Sequence, residues 1–226
     1  MEQPVALVTG ASRGIGSAIA QELGRTHHVL VGGRTAASVA PVVAALPSAE
    51  PFVADLATDP IPPLPERIDV LVHSAGVERA ASIEDTDRAE WERVFAVNLF
   101  AVADLTRAAL PALRAASGLV VAINSGSGLV AGPATGAVYA ASKHALRAFT
   151  ESLREEERGN GVRVSSVHPG RTDSDMQRAK VALEGHEYDL AYVLDPASVA
   201  AVVRTVVDLP PEGTVELVSV RPTRVR

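Results

Sequence analysis

Short runs of apolar, often β-branched residues alternate along the chain with longer stretches in which apolar residues recur at helical spacing. Leu146, Phe149 and Leu153, for example, are three and four positions apart, as on one face of a helix. The predicted strands are Val5–Thr9, His28–Val31, Pro51–Ala54, Asp69–His73, Gly118–Asn124, Val162–His168 and Thr214–Val218. The predicted helices are Ile15–Leu23, Ala36–Ala45, Arg88–Arg114, Val138–Arg158 and Ala197–Asp208.

This alternation of strands and helices predicts the fold class. It is typical of an α/β protein in which helices cover both faces of a parallel sheet. With right-handed crossovers, the seven strands form a doubly wound parallel sheet of the Rossmann type. The proline-rich segment 60–65 is interpreted as a loop rather than a linker, because the alternation continues on both sides. One domain over residues 1–226 is therefore expected.

Composition narrows the function classes. The 226 residues are 47% hydrophobic and 21% charged, as in ordinary globular proteins, and the lack of cysteine excludes disulfides and thiolate metal sites. No metal site is predicted. A net charge of −6 with dispersed Arg and Lys disfavours nucleic acid as a partner. Neither a signal peptide nor an uninterrupted apolar run of about 20 residues is found, so a cytoplasmic protein without a membrane partner is expected.

A glycine-rich turn links the first predicted strand to the first helix. Free N–H groups and the positive dipole end of a helix attract phosphate at this position. Gly10 permits a tight turn, Gly14 lets a pyrophosphate approach the backbone, and Gly16 lets helix and strand pack closely. The turn predicts that a dinucleotide is bound by Gly10, Ser12, Arg13, Gly14, Ile15 and Gly16.

Two other interpretations of this turn stay open. Gly10 to Gly14 also spell Gly-x-Ser-x-Gly, the nucleophile elbow of serine hydrolases, with Ser12 as nucleophile. The elbow normally follows a strand well inside the sheet, whereas Ser12 follows the first strand, which favours the dinucleotide. The glycines could also form a turn that binds no ligand.

Tyr139 and Lys143 open a predicted helix, and their i, i+4 spacing places phenol and ammonium on one helix face. A phenol with a pKa of about 10 is a poor acid–base catalyst at neutral pH, and a neighbouring Lys⁺ lowers that pKa. A surface tyrosine beside a surface lysine is the alternative.

Taken together, these motifs resemble the classical branch of the short-chain dehydrogenase/reductase (SDR) family over nearly the whole chain. The resemblance rests on Thr9-Gly10-x-x-x-Gly14-x-Gly16, Asn98 in Ala96-Val97-Asn98-Leu99, Tyr139-x-x-x-Lys143 and Pro169-Gly170. It implies that Tyr139 exchanges a proton with the substrate oxygen while hydride passes between the substrate carbon and nicotinamide C4. Lys143 would hold the ribose hydroxyls and lower the Tyr139 pKa, and Asn98 would support a water chain to Lys143.

The family also implies a serine that hydrogen-bonds the substrate oxygen. Ser125 lies 14 positions before Tyr139 and Ser127 lies 12 before it, whereas the usual spacing falls on Gly126. Ser125 is favoured, because it follows the fifth strand as the family's serine does, and a one-residue insertion between positions 128 and 138 restores the match. Ser127 would then be a loop residue.

A second departure lies after the fourth strand, where His73-Ser74-Ala75-Gly76 replaces the family's Asn-Asn-Ala-Gly. Ala75 and Gly76 are expected to let the backbone approach the adenosine ribose. His73 is interpreted as structural rather than catalytic.

The end of the second strand indicates which nicotinamide is bound. NAD-binding proteins carry an acidic residue there, but this chain has Arg34. Together with Arg13, it could pair with the 2′-phosphate of NADP(H), which is therefore the predicted cofactor. Arg34 as an ordinary exposed loop residue is the alternative. Asp55 and Leu56 resemble the family's adenine-contacting pair.

Residues 171–192 resemble a short, polar substrate lid, in which Thr172 and Ser174 could contact the nicotinamide amide or phosphate. A compact lid suggests an open pocket for a small carbonyl or alcohol substrate. The helices Arg88–Arg114 and Val138–Arg158 commonly form the subunit interface in this family, so a homodimer or homotetramer is expected, although their apolar positions could equally be core.

The leading hypothesis is thus an NADP(H)-dependent oxidoreductase of carbonyls and secondary alcohols, with Asn98, Ser125, Tyr139 and Lys143 as catalytic residues. The alternatives are a catalytically idle NADP(H)-binding sensor or scaffold of the same fold, and the Ser12 hydrolase. Pro169, Gly170 and Thr172 complete the predicted cofactor contacts.

Overall fold

A computed structural model of the chain describes residues 3–78, 81–132, 136–183 and 185–224. Met1 and Glu2, which belong to the segment inspected for a signal peptide, lie outside these residues. So do residues 133–135, within the segment 128–138 in which a one-residue insertion is expected, and residue 184 of the predicted lid.

Seven parallel strands form one sheet in the order β3-β2-β1-β4-β5-β6-β7, which confirms the predicted fold class. The strand order changes direction between β1 and β4, because β2 and β3 lie on one side of β1 and β4 to β7 lie on the other. Ligands bind at this switch point in folds of this kind. The strands are β1 Val5–Val8, β2 His28–Gly33, β3 Ala49–Val53, β4 Val70–His73, β5 Leu119–Ile123, β6 Arg163–Pro169 and β7 Leu217–Val220. The helices are α1 Gly14–Leu23, α2 Ala36–Ala45, α3 Arg88–Phe95, α4 Ala101–Ala116, α5 Ala137–Glu157, α6 Asp175–Leu183 and α7 Pro196–Val207.

The core lies on both faces of the sheet, because successive strand side chains point in opposite directions. Val8 of β1 belongs to a buried cluster with Ile19 of α1 and Val203 of α7. Its neighbour Leu7 belongs to a second cluster with Leu105 of α4. Both faces are thus covered by helices in the described part of the chain, and the ends of the strands are the expected place for a site. That residues 1–226 form one domain stays a prediction.

The predicted helix Arg88–Arg114 is interrupted by a π-helical turn, Ala96–Phe100, between α3 and α4. The N–H of Ala101 bonds to the carbonyl of Ala96, five residues back. Asn98 lies in this turn, and such π turns are frequent at functional sites. By length and composition alone, Arg88–Ala116 could cross a membrane. Since the apolar face of α4 is buried in the core, this is weak evidence for a span.

Other elements also differ from the sequence prediction. The edge strand β3 begins two residues earlier than predicted, and β7 covers Leu217–Val220 rather than Thr214–Val218. Most side chains of β3 are exposed, and those of β7 alternate between exposed and half-buried. Neither strand therefore has the continuous run of buried apolar residues that marks a central strand. Helix α6 lies in the segment predicted to be a polar lid without helix; of its described side chains only Val181 and Gln177 are buried.

Candidate active site

The glycine turn adopts a backbone that side chains would prevent. Gly10 and Gly14 have φ angles of +63° and +56°, in the left-handed region. A Cβ on Gly10 would lie 2.7 Å from the Cα of Ala75, and one on Gly16 would collide with the Gly10 carbonyl. Arg13 precedes α1 without capping it by its side chain. The first N–H groups of α1 therefore face a cradle of bare backbone that fits a pyrophosphate.

Thr9 joins this turn to the loop after β4. Its hydroxyl oxygen accepts hydrogen bonds from the N–H groups of Ser74 and Ala75, at 3.0 and 3.1 Å. Thr9 belongs to the glycine motif, but its place in the sequence did not indicate this role. In the structure it holds the Ser74–Ala75 backbone against Gly10, on one side of the cradle.

His73 faces away from this cradle. Its buried Nε2 lies 2.9 Å from the hydroxyl of Thr106 on α4. Burial lowers the pKa of His73 to about 3, so the ring is neutral at physiological pH. These contacts favour the structural interpretation of His73.

Asn98 ties three elements together from the π turn. Its side-chain oxygen accepts the N–H of Val77 at 2.9 Å, and its Nδ2 donates to the Val77 carbonyl at 2.9 Å and the Ser142 hydroxyl at 3.0 Å. The side chain is 1% exposed. A Cβ on Gly76 would lie 3.5 Å from the Asn98 oxygen and 3.8 Å from Lys143 Nζ. Asn98, Gly76 and Lys143 are thus brought together.

Tyr139 and Lys143 share one face of α5, and both are almost fully buried, at 8% and 4% exposure. The ammonium of Lys143 lies 5.9 Å from the centre of the Tyr139 ring and donates a hydrogen bond to the Ile123 carbonyl at 3.0 Å. The alternative of a surface pair does not hold. The pair lies instead at the carboxyl end of β5.

Ser125, rather than Ser127, contacts the phenol. A hydrogen bond from Ser125 acts on Tyr139, and the Ser125 hydroxyl oxygen accepts the N–H of Ser127 at 3.1 Å. Ser127 lies in a short 3₁₀ turn, Gly126–Gly128, that begins directly after Ser125. The favoured assignment of Ser125 therefore agrees with the geometry, while its chemical role stays a prediction.

The electrostatics of the tyrosine differ from the sequence expectation. Burial raises the pKa of Tyr139, the Glu78 carboxylate raises it further, and the Ser125 hydrogen bond lowers it only in part. Burial also lowers the pKa of Lys143 to about 8, against the opposing effect of Glu78. The expected lowering of the Tyr139 pKa is thus not found in the protein alone, where the largest effect is the removal of the phenolate from water.

Glu78 and Lys180 are site residues that the sequence analysis missed. Lys180 Nζ on α6 lies 3.2 Å from the Glu78 carboxylate, with both side chains 10% exposed. Glu78 follows Gly76 by two residues at the edge where the other site residues gather, which is the only signal that could have identified it. The ion pair fastens the lid helix to the loop that contacts Asn98.

The predicted 2′-phosphate ligands lie at the outer end of the cradle. Arg34 follows β2 directly and is exposed, and a Cβ on the preceding Gly33 would lie 3.9 Å from Ser12 Cβ. Arg13 is also exposed and forms a 3.0 Å ion pair with Asp175, the first residue of α6. The structure thus places both arginines in elements that border the glycine turn.

The remaining predicted contacts lie at the same sheet edge. Asp55 follows β3, where its carboxylate accepts the N–H of Ala57 at 3.1 Å, and Leu56 packs against the core. Gly170, after Pro169, donates its N–H to the Val220 carbonyl at 2.7 Å. Thr172 is buried and donates to the Gly170 carbonyl at 3.1 Å.

The lid begins over the glycine turn. A Cβ on Gly14 would lie 3.9 Å from Ser174 Cβ, and the Ser174 hydroxyl accepts the N–H of Gln177 at the start of α6. In the described part of the chain, no three His, Asp or Glu side chains are grouped as a metal site would need.

Comparisons with known proteins agree with this geometry. Residues 4–184 match the family model described as short chain dehydrogenase. An uncharacterized short-chain type dehydrogenase/reductase (y4eK) from Sinorhizobium fredii is 33% identical, over 97% of this chain and 91% of that protein.

Two solved structures are similar over most of both chains. A metagenomic short-chain oxidoreductase in complex with NADP is 32% identical, with a TM-score of 0.78 over 99% of each chain. A 3-oxoacyl-[acyl-carrier protein] reductase from Brucella melitensis with bound NAD is 27% identical, with a TM-score of 0.81 over 97% of this chain and 90% of that one. The two relatives thus carry different nicotinamide cofactors.

Proposed function

Because the chain belongs to the short-chain dehydrogenase/reductase family, whose members are nicotinamide-dependent oxidoreductases, we propose that it transfers hydride between NADP(H) and a small carbonyl or secondary alcohol substrate. The observation that carries this proposal is the grouping of the half-buried Ser125 with the buried Tyr139 and Lys143, close to Gly76 in the loop that borders the glycine cradle. The bound nicotinamide would supply or accept the hydride.

The residues divide the remaining chemistry between them. In reduction, Tyr139 donates its proton to the substrate oxygen, and its raised pKa in the protein alone keeps the phenol protonated for this step. Ser125 hydrogen-bonds the same oxygen and orients it. Lys143 holds the ribose hydroxyls, and its charge favours the phenolate once Tyr139 has lost the proton. Asn98 keeps the loop after β4 beside Lys143 through its bonds to Val77.

The preference for NADP(H) rests on Arg34 and Arg13. A guanidinium at the end of β2 attracts the 2′-phosphate, and no carboxylate stands at that position to bind the 2′-hydroxyl of NAD. The NADP-bound relative supports this choice, whereas the NAD-bound relative shows that fold alone does not dictate it. Asp55, Leu56, Ala75 and Gly76 would contact the adenosine, and Pro169, Gly170 and Thr172 the nicotinamide end.

Cofactor preference is tested by steady-state kinetics of wild type and Arg34→Asp with NADPH and NADH. Losing charge-assisted bonds to the 2′-phosphate should lower kcat/KM for NADPH about 10- to 100-fold, whereas kcat/KM for NADH should hold or rise. Arg25→Asp, an exposed arginine beyond the opposite end of α1, is the control for net charge. A wild type that prefers NADH, or equal effects of the two variants, would refute the NADP(H) proposal.

A cofactor-binding sensor or scaffold is the second candidate. It would show NADPH binding with no turnover of aldehydes, ketones, quinones or 3-oxoacyl thioesters. The hydrolase alternative is not favoured, since among the described residues no histidine is hydrogen-bonded to Ser12. The cytoplasmic location and the homodimer or homotetramer stay predictions.

A further inference from the structure

A buried histidine of β6 holds the main chain of Ser125. His168 is 0% exposed and directly precedes Pro169. Its Nδ1 lies 2.8 Å from the Ser125 carbonyl oxygen, and its Nε2 lies 2.8 Å from the Ser166 hydroxyl. Both ring nitrogens therefore have a partner inside the protein.

These partners fix the tautomer of the ring. A carbonyl oxygen can only accept, so Nδ1 carries the proton and donates it to Ser125. Nε2 is then the acceptor, and the Ser166 hydroxyl donates to it. Burial lowers the pKa of His168, the bond to Ser125 opposes this, and the charges of Arg147, Lys143 and Arg221 lower it further. The ring thus stays neutral at physiological pH.

The hydrogen bond from His168 to Ser125 lies just beyond the end of the main-chain ladder between β5 and β6. The last main-chain bond in this direction from β5 to β6 runs from the Asn124 N–H to the Val167 carbonyl, at 2.8 Å. Pro169 has no N–H and cannot continue the ladder. The imidazole of His168 supplies a donor at this point and reaches the Ser125 carbonyl, one residue beyond the end of the ladder.

We propose that His168 is a positioning residue, which holds the Ser125 backbone so that the Ser125 hydroxyl faces Tyr139 and the substrate oxygen. The hydroxyl end of Ser125 is held by the Ser127 N–H and by Tyr139, and His168 anchors the main-chain end. This inference rests on the proposed hydride transfer, because it assigns the alignment of one of its catalytic groups. Small displacements of such a group lower the rate far more than they lower binding.

The test compares His168→Asn with His168→Leu, which have nearly the same shape. The asparagine Nδ2 can occupy the position of Nδ1 and donate to Ser125, whereas leucine cannot. Carbonyl reduction by His168→Asn should keep kcat within about threefold of wild type, and His168→Leu should lose about tenfold or more. KM for NADPH should stay within about twofold in both variants. His168→Gln, which carries its amide at the Nε2 position, replaces His168→Leu if the latter does not fold, and the same loss is expected.

Equal kcat values for the Asn and Leu (or Gln) variants would overturn the positioning role while leaving the proposed function intact. Failure of the proposed function would instead be seen as no carbonyl reduction by wild type. In that case ¹⁵N NMR of the imidazole at pH 8 still tests the inference, since it requires a neutral ring protonated on Nδ1. A ring protonated on Nε2, or on both nitrogens, would overturn it.

Discussion

At the scale of single residues, burial controls the titration of the site. Tyr139, Lys143 and His73 all have pKa values displaced in the direction that disfavours their charged forms. Desolvation is the largest cause in each case. The phenol is thereby held as a proton donor, and the histidine that replaces the family's asparagine is held neutral.

His73 should make folding stability depend on pH. Its pKa is about 3 in the folded protein and 6.5 as the ordinary value, so the unfolded chain binds the extra proton between these limits. Stability is therefore full above pH 6.5 and falls as the pH drops from 6.5 towards 3. At pH 5 the loss from this one group is about 2 kcal/mol relative to pH 8.

Chemical unfolding of wild type and His73→Gln at pH 8 and pH 5 measures this contribution. Glutamine carries its amide at the Nε2 position, so it can still bond to Thr106 but does not titrate. The variant should therefore lose about 2 kcal/mol less than wild type over this interval. Equal losses of stability in both proteins would show that folding does not lower the pKa of His73.

At the scale of elements, one exposed and one mostly buried ion pair join the lid helix α6 to the rest of the protein. Arg13–Asp175 is exposed on both sides, so its contribution to stability is small. Glu78–Lys180 is mostly buried, and the Glu78 charge raises the pKa of both Tyr139 and Lys143. The attachment of the lid and the titration of the site thus depend on the same carboxylate.

Opposite shifts in the pH profile are expected from the two partners of this pair. Glu78→Gln removes a negative charge, which lowers the pKa of Tyr139 and of Lys143, and the acidic limb of alcohol oxidation should move to lower pH. Lys180→Met removes a positive charge 3.2 Å from the Glu78 carboxylate, so the limb should move to higher pH. Profiles of kcat/KM for oxidation check both directions.

Glu151→Gln serves as the control for these profiles. Glu151 pairs with Arg147 on the exposed side of α5, and it is not among the charges that shift Tyr139. Its profile should match that of wild type. Shifts of Glu78→Gln and Lys180→Met in the same direction would contradict the electrostatic role of Glu78.

At the scale of the whole molecule, the strands and helices that are most deeply buried were the easiest to predict from the sequence. Central strands such as β1, β4 and β5 are buried on both faces, so their apolar runs show in the sequence. The edge strands β3 and β7 are partly exposed, and their predicted bounds are displaced. Helix α6 escaped prediction because most of its side chains are polar or exposed.

The site was predictable where motif and element coincide. The glycine cradle, Asn98 and the Tyr139–Lys143 pair lie where their spacing placed them. Glu78 and Lys180 are 102 positions apart, so only folding brings them together. The upward shift of the Tyr139 pKa could not be predicted from the sequence either. Helical spacing indicates a neighbouring charge, but it does not indicate how deeply the phenol is buried, and burial is the largest cause of the shift.

Hydride transfer itself is the central claim, and isotope transfer measures it most directly. Wild type is incubated with NADPH deuterated at nicotinamide C4 and a carbonyl substrate selected from a panel, and the product is analysed by mass spectrometry and NMR. Deuterium should appear on the former carbonyl carbon. Tyr139→Phe should still bind NADPH but form product at least about 10³-fold more slowly, since the proton donor is lost. NADPH binding by wild type without deuterated product from any carbonyl class, or undiminished transfer by Tyr139→Phe, would contradict the account.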